Sequence, residues 1–519
     1  MLSQTVTEAA QRFGSRPALV AEEGWSLGFD DLARLSDEVA AGLAERGVHQ
    51  GDVVALVLPA SPEHFVVYAA VAKLGGITAA VNPRLSPVEQ RKVLASLFPR
   101  WIVSTPALAE TFGATLDTGR VVLVEPATSA TSMLEEVRAC GGVPPLADEP
   151  DRPVVIVCTS GTTGTPKGAV FASRQLEFIT ETDVGPAWGG GGPVLAGPAL
   201  AHLGPMTKWA GNLRRGATLY VSGSWTAAGA LRQMAELGVT VLGGVPTQLA
   251  LMLREPDLGR YDLSRLRAIV IGGGPAPPAL VREARQQFNV PLAVRFSCTE
   301  AGIGTGTAFD DPLEDAELSV GRPQPGVSLR IVDAHGDPLP PGEVGEVVLS
   351  SPAVMSGYWR APEATAAALV DDGVRTGDLG WVDERGRLRL AGRATERIVR
   401  GGNNIHPIEV EAVLSDHPDV AAAALVGRAD PVMGEVGVAV VVPRSGCPAP
   451  TLDRLRSFAA ERLARYKLPD DLLVVDRLPL TAMDKVDRRA LEDMVASPSS
   501  TSGPGPEGGP GAGAEPDAE

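Results

Sequence analysis

The chain has 519 residues, 44% of them hydrophobic, and a formal net charge of -17. That length allows two or three domains around a large core, and the acidity argues against nucleic acid as a partner, because a phosphate backbone calls for a basic face. No apolar run approaches the ~18 residues of a membrane helix, and Met1 to Arg12 lacks a basic stretch ahead of an apolar one, so a cytoplasmic protein with no membrane partner is expected.

From Ser26 to Phe98 helical and strand patterns alternate. Phe29 to Arg46 has apolar residues at helical spacing, Gly51-Asp52 turns the chain, Val53 to Leu58 is a short apolar strand, and helical spacing returns from Glu63 to Leu74. The apolar segment Val154 to Val157 then runs into Thr159-Ser160-Gly161-Thr162-Thr163-Gly164-Thr165-Pro166-Lys167-Gly168. Glycines let backbone amides converge on phosphate oxygens, hydroxyls add neutral donors, and Lys167 adds a mobile charge. Composition alone fits an exposed turn equally well. A Walker loop needs Gly before its Lys and Ser or Thr after it, whereas Pro166 and Gly168 flank Lys167, so the segment reads as a hairpin-like loop between strands.

Alternation resumes with Ala217 to Val221, Thr226 to Glu236, Val239 to Leu242, Thr247 to Leu253 and the strand Ala268 to Ile271, which ends on Gly272-Gly273-Gly274-Pro275. After Gly321 short β-like runs take over: Val327 to Val332, Glu346 to Leu349, Gly380 to Val382 and Leu388 to Ala391, as in a barrel or distorted sheet. Near Glu396 a fresh unit begins, with helix Pro407 to Ser415, strands Val420 to Val426 and Val436 to Val442, helix Leu452 to Ala464 and strand Leu472 to Val475. Cys140, Cys158, Cys298 and Cys447 have no paired spacing, so neither disulfides nor a zinc site are expected. Ser497 to Glu519 is Pro/Gly/Ser/Ala-rich and reads as a disordered tail.

Five motifs in order carry a resemblance: the loop Thr159 to Gly168, Phe296-Ser297-Cys298-Thr299-Glu300, Thr376-Gly377-Asp378, Gly392-Arg393-Ala394-Thr395-Glu396 with Gly401-Gly402, and the terminal Leu478-Pro479-Leu480-Thr481 followed by Lys485. Together they resemble the adenylate-forming, AMP-binding superfamily, most closely its acyl- and aryl-CoA synthetases, across Ser26 to Leu491. The resemblance implies an α/β fold: an N-terminal domain over residues 1–391 made of layered α/β subdomains and a barrel-like one, a hinge at 392–396, and a mobile α+β domain over 397–496. It implies ATP, Mg2+ and coenzyme A as cofactors, and activation of a carboxylic acid to an acyl-adenylate followed by transfer to a thiol.

By the same resemblance Thr159, Ser160, Gly161, Thr162, Thr163, Gly164 and Lys167 grip the triphosphate, Gly273 and Gly274 border the adenine, and Phe296 lies against it. Thr299 reaches the α-phosphate, Glu300 and Thr163 hold Mg2+, Asp378 binds the ribose, and Arg393 contacts the nucleotide. Lys485 bridges substrate carboxylate and α-phosphate. His202 gates the acyl pocket, Gly401 and Gly402 line the thiol channel after domain rotation, and Arg84 is a candidate for a coenzyme A phosphate.

The chain departs from the family at Ser297, where Gly is usual, at Phe296 for Tyr, at Thr395 for Asp or Lys, and at Asp484 for Gly. A non-catalytic acyl-adenylate binder is the reading those departures leave open. Leu203 stands where amino-acid-activating members place Asp, which disfavours a plain α-amino acid. A pocket near His202, Met206, Trp209, Gly244 and Cys298, with Lys208 close by, suits an aromatic, alicyclic or short-to-medium acyl acid. A carrier-protein thiol is the alternative acceptor.

Overall fold

Two helices of opposite character begin the fold. Phe29–Glu45 opens with Asp30 and Asp31, where carboxylates meet the positive end of the helix, and buries Leu32, Leu35, Val39 and Leu43 on one face. Pro62–Lys73 is buried on every side and forms a central strut. The strands beside it, Val53–Val57 and Ile77–Ala80, are unbroken apolar runs, as befits strands covered on both faces. The computed structural model describes residues 2–113, 120–159, 166–371, 373–393, 396–481 and 485–496. The expected tail at 497–519 and the departures at Thr395 and Asp484 lie outside them.

A seven-stranded sheet runs in the order Gly357–Tyr358, Lys167–Ala172, Pro153–Thr159, Ile77–Ala80, Val53–Val57, Trp101–Ser104, Arg120–Leu123. It is parallel except where Lys167–Ala172 pairs with both its neighbours. A second sheet joins Ser26–Gly28, Pro17–Ala21, Thr218–Val221 and Pro193–Ala196, and a third joins Val241–Gly244, Ala268–Gly272, Leu292–Phe296, Thr305–Gly306 and Arg322–Pro323. The β-rich stretch after Gly321 is an antiparallel sheet of Ser328–Val332, Gly345–Ser350, Gly373–Val382 and Leu369–Val370, with Leu388–Arg393 beside Gly373–Val382. Register slips at Glu346/Val348 and Leu379/Gly380 distort it, so the distorted-sheet expectation holds.

The small C-terminal unit has its own core around Val410, Leu425, Val441 and Leu455. Arg282, on the body, bridges Glu317 at 2.9 Å and Asp416 of the small unit at 2.7 Å, and Arg254 donates to the Ala421 carbonyl at 2.8 Å. Helix Leu452–Ala460 is shorter than expected, and Arg488–Ala496 adds a helix that the sequence reading did not assign. No helix among the described residues is long and apolar enough to cross a membrane.

Candidate active site

Strand Pro153–Thr159 turns back as Lys167–Ala172, with Thr159 opposite Lys167, so the phosphate-type loop does join two strands. Its tip, Ser160, Gly161, Thr162, Thr163 and Gly164, lies outside the described residues. Lys167 Nζ stands 5.3 Å from the centre of the Tyr358 ring, a cation–π contact.

Glu300 rides on a short turn, Thr299–Ala301, just past strand Leu292–Phe296. The Met355 amide donates to its carbonyl at 2.9 Å. Next to it Gly302 has φ +71°, and a Cβ there would fall 2.7 Å from the Ala353 carbonyl oxygen. A Gly302→Ala change therefore meets both strain and a clash. It should cost about 1–3 kcal/mol in denaturant unfolding and raise the KM for ATP through displacement of Glu300. The Glu300 carboxylate accepts from the Tyr358 hydroxyl at 2.6 Å. Burial, reinforced by Glu300, pushes the Cys298 thiol well above its ordinary pKa.

Asp378 is only 7% exposed and faces Arg393 across an antiparallel strand pair. Arg393 Nε donates to Asp378 Oδ1 at 3.0 Å. Burial raises the pKa of Asp378, and the guanidinium opposes that rise. Lys485 reaches the same place from the small unit. Its hairpin is closed by a bridge between Leu480 and Val486 and by the Thr481 amide donating to the Lys485 carbonyl at 2.7 Å. Burial and then the Arg393 charge lower the pKa of its ammonium, with Asp378 opposing them.

The other expected residues lie on separate elements. Gly273, at φ +80°, and Gly274 form an exposed, bare loop whose nearest neighbours, Val245 and Pro246, would stand 3.7 Å from added Cβ atoms. A flat ring fits against such a backbone. Phe296, half-buried, ends its strand opposite Thr305, and Thr299 opens the Glu300 turn. His202 precedes helix Leu203–Arg215, its carbonyl accepting from the Met206 amide at 3.1 Å. Arg84 is exposed after strand Ile77–Ala80, its amide donating to Asn82 Oδ1 at 2.9 Å. Gly401 and Gly402, at φ +54° and +79°, turn a hairpin of the small unit other than the one that carries Lys485.

Two expectations for the acyl pocket are corrected. Met206 and Trp209 point into the main core, where Trp209 packs on Phe65 and Tyr68 at 5.2 and 5.3 Å, and do not line an open pocket. Lys208 turns away to Asp183 at 2.9 Å. Gly244 instead lines a cavity of about 370 Å³ that also touches Leu195, Trp225, Val245, Gln248 and Ile271. Tyr358 is the site residue that the sequence reading missed. In a chain with 4% aromatics, an adjacent Tyr358-Trp359 pair behind a glycine was the available signal.

Among the described residues no three His, Cys, Asp or Glu side chains gather as a metal cage. A lone Glu300 nonetheless fits Mg2+ that arrives on a triphosphate, since this hard cation keeps phosphate and water oxygens and asks the protein for one or two carboxylates. The strand–loop–strand of the phosphate-type segment, the bare loop at Gly273 and Gly274 and the buried Asp378–Arg393 pair are what a nucleotide-binding enzyme needs. The profile described as AMP-binding enzyme matches residues 6–359, and that of the AMP-binding enzyme C-terminal domain matches residues 409–485. The chain belongs to the AMP-binding enzyme family.

It is 34% identical to an indoleacetate–CoA ligase of Aromatoleum aromaticum over 91% of this chain and 93% of that one. It is 33% identical to the fatty acid–[acyl-carrier-protein] ligase ScoC of Streptomyces coeruleorubidus over 95% of this chain and 96% of that one. Among solved structures it superposes on the amide bond synthetase McbA of Marinactinospora thermotolerans with a TM-score of 0.84 and 28% identity, over 96% of this chain and 100% of that one. It is an adenylate-forming enzyme of the family that includes acyl- and aryl-CoA ligases.

Proposed function

We propose that the protein activates a small carboxylic acid with an apolar body, aromatic, alicyclic or short-to-medium acyl, and passes it to the thiol of coenzyme A. The observation that carries this reading is the buried Asp378 paired with Arg393 at 3.0 Å, with the Lys485 ammonium close enough to feel both charges.

Asp378 and Arg393 fix the ribose, and Lys167 steadies the leaving pyrophosphate. Glu300 would hold Mg2+, which would supply positive charge to offset the triphosphate. Lys485 then faces two anions that must approach each other, the substrate carboxylate and the α-phosphate. A fixed positive charge there favours the crowded transition state over the separated reactants. The carboxylate oxygen bonds to the α-phosphorus and the bond to pyrophosphate breaks. For the second step the small domain turns about residues 392–396, Lys485 withdraws, and Gly401-Gly402 come to line the thiol channel gated by His202. The thiol sulfur bonds to the acyl carbon and AMP leaves.

The cavity beside Gly244 and Val245 has the size of a small-ligand pocket, with Leu195, Trp225 and Ile271 on its wall together with the charged Glu22, Arg232 and Glu236. ATP–pyrophosphate exchange across a panel of carboxylic acids tests the reading. Exchange with aromatic or medium acyl acids is expected, and no exchange with any acid would sink it. ScoC motivates a second reading, in which the thiol belongs to a carrier protein. Thioester formation with coenzyme A alone decides for the first, and thioester only with added carrier protein decides for the second.

A further inference from the structure

One short segment touches both halves of the phosphate site. The Met355 amide donates to the Glu300 carbonyl at 2.9 Å, and the Ser356 amide donates to the Val170 carbonyl, on the returning hairpin strand, at 2.8 Å. Gly357 and Tyr358 then pair with Val170 and Ala169 as the edge strand of the seven-stranded sheet. The tyrosine backbone is anchored from behind as well, its amide donating to Thr365 Oγ1 at 2.9 Å. From this frame the hydroxyl reaches Glu300 Oε1 at 2.6 Å while the ring lies 5.3 Å from Lys167 Nζ.

We propose that Tyr358 is a positioning residue: its hydroxyl orients the Glu300 carboxylate for Mg2+, and its ring seats Lys167 for the phosphates, so that one side chain aligns both partners of the metal–triphosphate unit. The inference rests on the function proposed above. With Oε1 held by the Tyr358 hydroxyl, the carboxylate has one preferred orientation. Partners that orient a metal ligand in this way typically govern about 10–100-fold of metal affinity.

The test uses the full-length protein, a non-hydrolysable ATP analogue and Mn2+ in place of Mg2+. Paramagnetic resonance reads bound Mn2+, and calorimetry reads the analogue alone without metal. Tyr358→Phe keeps the ring and removes the hydroxyl. It should weaken Mn2+ in the ternary complex about tenfold while leaving metal-free analogue binding and the thermal midpoint near wild type. Tyr358→Leu should additionally weaken the metal-free analogue, because Lys167 loses its seat. In a Glu300→Gln background Tyr358→Phe should change Mn2+ affinity no further, which shows that it acts through that carboxylate.

Unchanged Mn2+ affinity in Tyr358→Phe overturns the proposal. So does a parallel loss of both affinities together with a lower thermal midpoint, the signature of a merely structural tyrosine. If the wild-type protein binds neither the analogue nor its metal complex, the proposed function itself falls and takes this role with it.

Discussion

Lys485→Ala should reduce acid-dependent pyrophosphate exchange by about 10²–10³-fold, the scale on which removing one fixed transition-state donor is felt. Thioester formation from a supplied acyl-adenylate should stay within a few-fold of wild type, because the lysine has left the site by then. The two assays on one variant separate the half-reactions. Equal losses in both would contradict a first-step role for Lys485 and favour a general structural one. The pH profile adds an independent check with a definite sign. Burial, and then Arg393, lower the Lys485 pKa from the ordinary lysine value. The step needs the charged form, so adenylation is fully supported at low pH and is lost as pH rises through that lowered pKa. The alkaline limb of kcat/KM, which reports the free enzyme, should thus lie below the ordinary lysine range, and that of kcat should lie higher once phosphate anions surround the ammonium. Lys485→Arg should retain part of the activity and lose this limb, because a guanidinium does not deprotonate there.

The motif-borne residues were legible in the sequence because their chemistry is local: Asp378 needs its turn at Gly377, and Lys485 needs its own small hairpin. That the Lys485 ammonium comes within reach of the Arg393 charge is not encoded in either segment, because the two belong to separately folded units. The role of Tyr358 was hidden for a related reason, although the Tyr358-Trp359 pair marked the position. Its partners are Glu300 and Lys167, and the edge strand that delivers it has two residues, too short to leave a periodic pattern. The α/β layering was legible from apolar runs and helical spacing, and the helix Leu203–Arg215 was the costly omission. Met206, Trp209, Ala210 and Leu213 share its buried face at steps of three and four, while Lys208 falls between them toward solvent. Met206 and Trp209, expected near the acyl pocket, therefore face the core, because a helix directs neighbouring residues to different sides. The hydroxyl of Tyr68, in the central helix, donates to the Met206 carbonyl at 2.8 Å and fixes which side is inward.

That correction predicts a large effect on stability and little effect on specificity. Trp209 is 1% exposed and wedged against Phe65 and Tyr68 with tilted rings at 5.2 and 5.3 Å. Trp209→Ala should therefore cost about 3–5 kcal/mol in denaturant unfolding, a substantial part of the ~5–15 kcal/mol that holds a typical domain folded. Trp209→Phe should cost far less. The indole Nε1 is buried with no hydrogen-bond partner among the described residues, so deleting that N–H removes a penalty while the benzene-sized ring keeps most of the packing. Both variants, assayed while folded, should rank a panel of carboxylic acids as wild type does. A lining residue would behave in the opposite way: truncation to alanine would open room, shift the ranking toward bulkier acids, and leave the unfolding midpoint almost unmoved. The ratio of those two responses identifies the wall to which this tryptophan belongs, and the packing around it places it in the core.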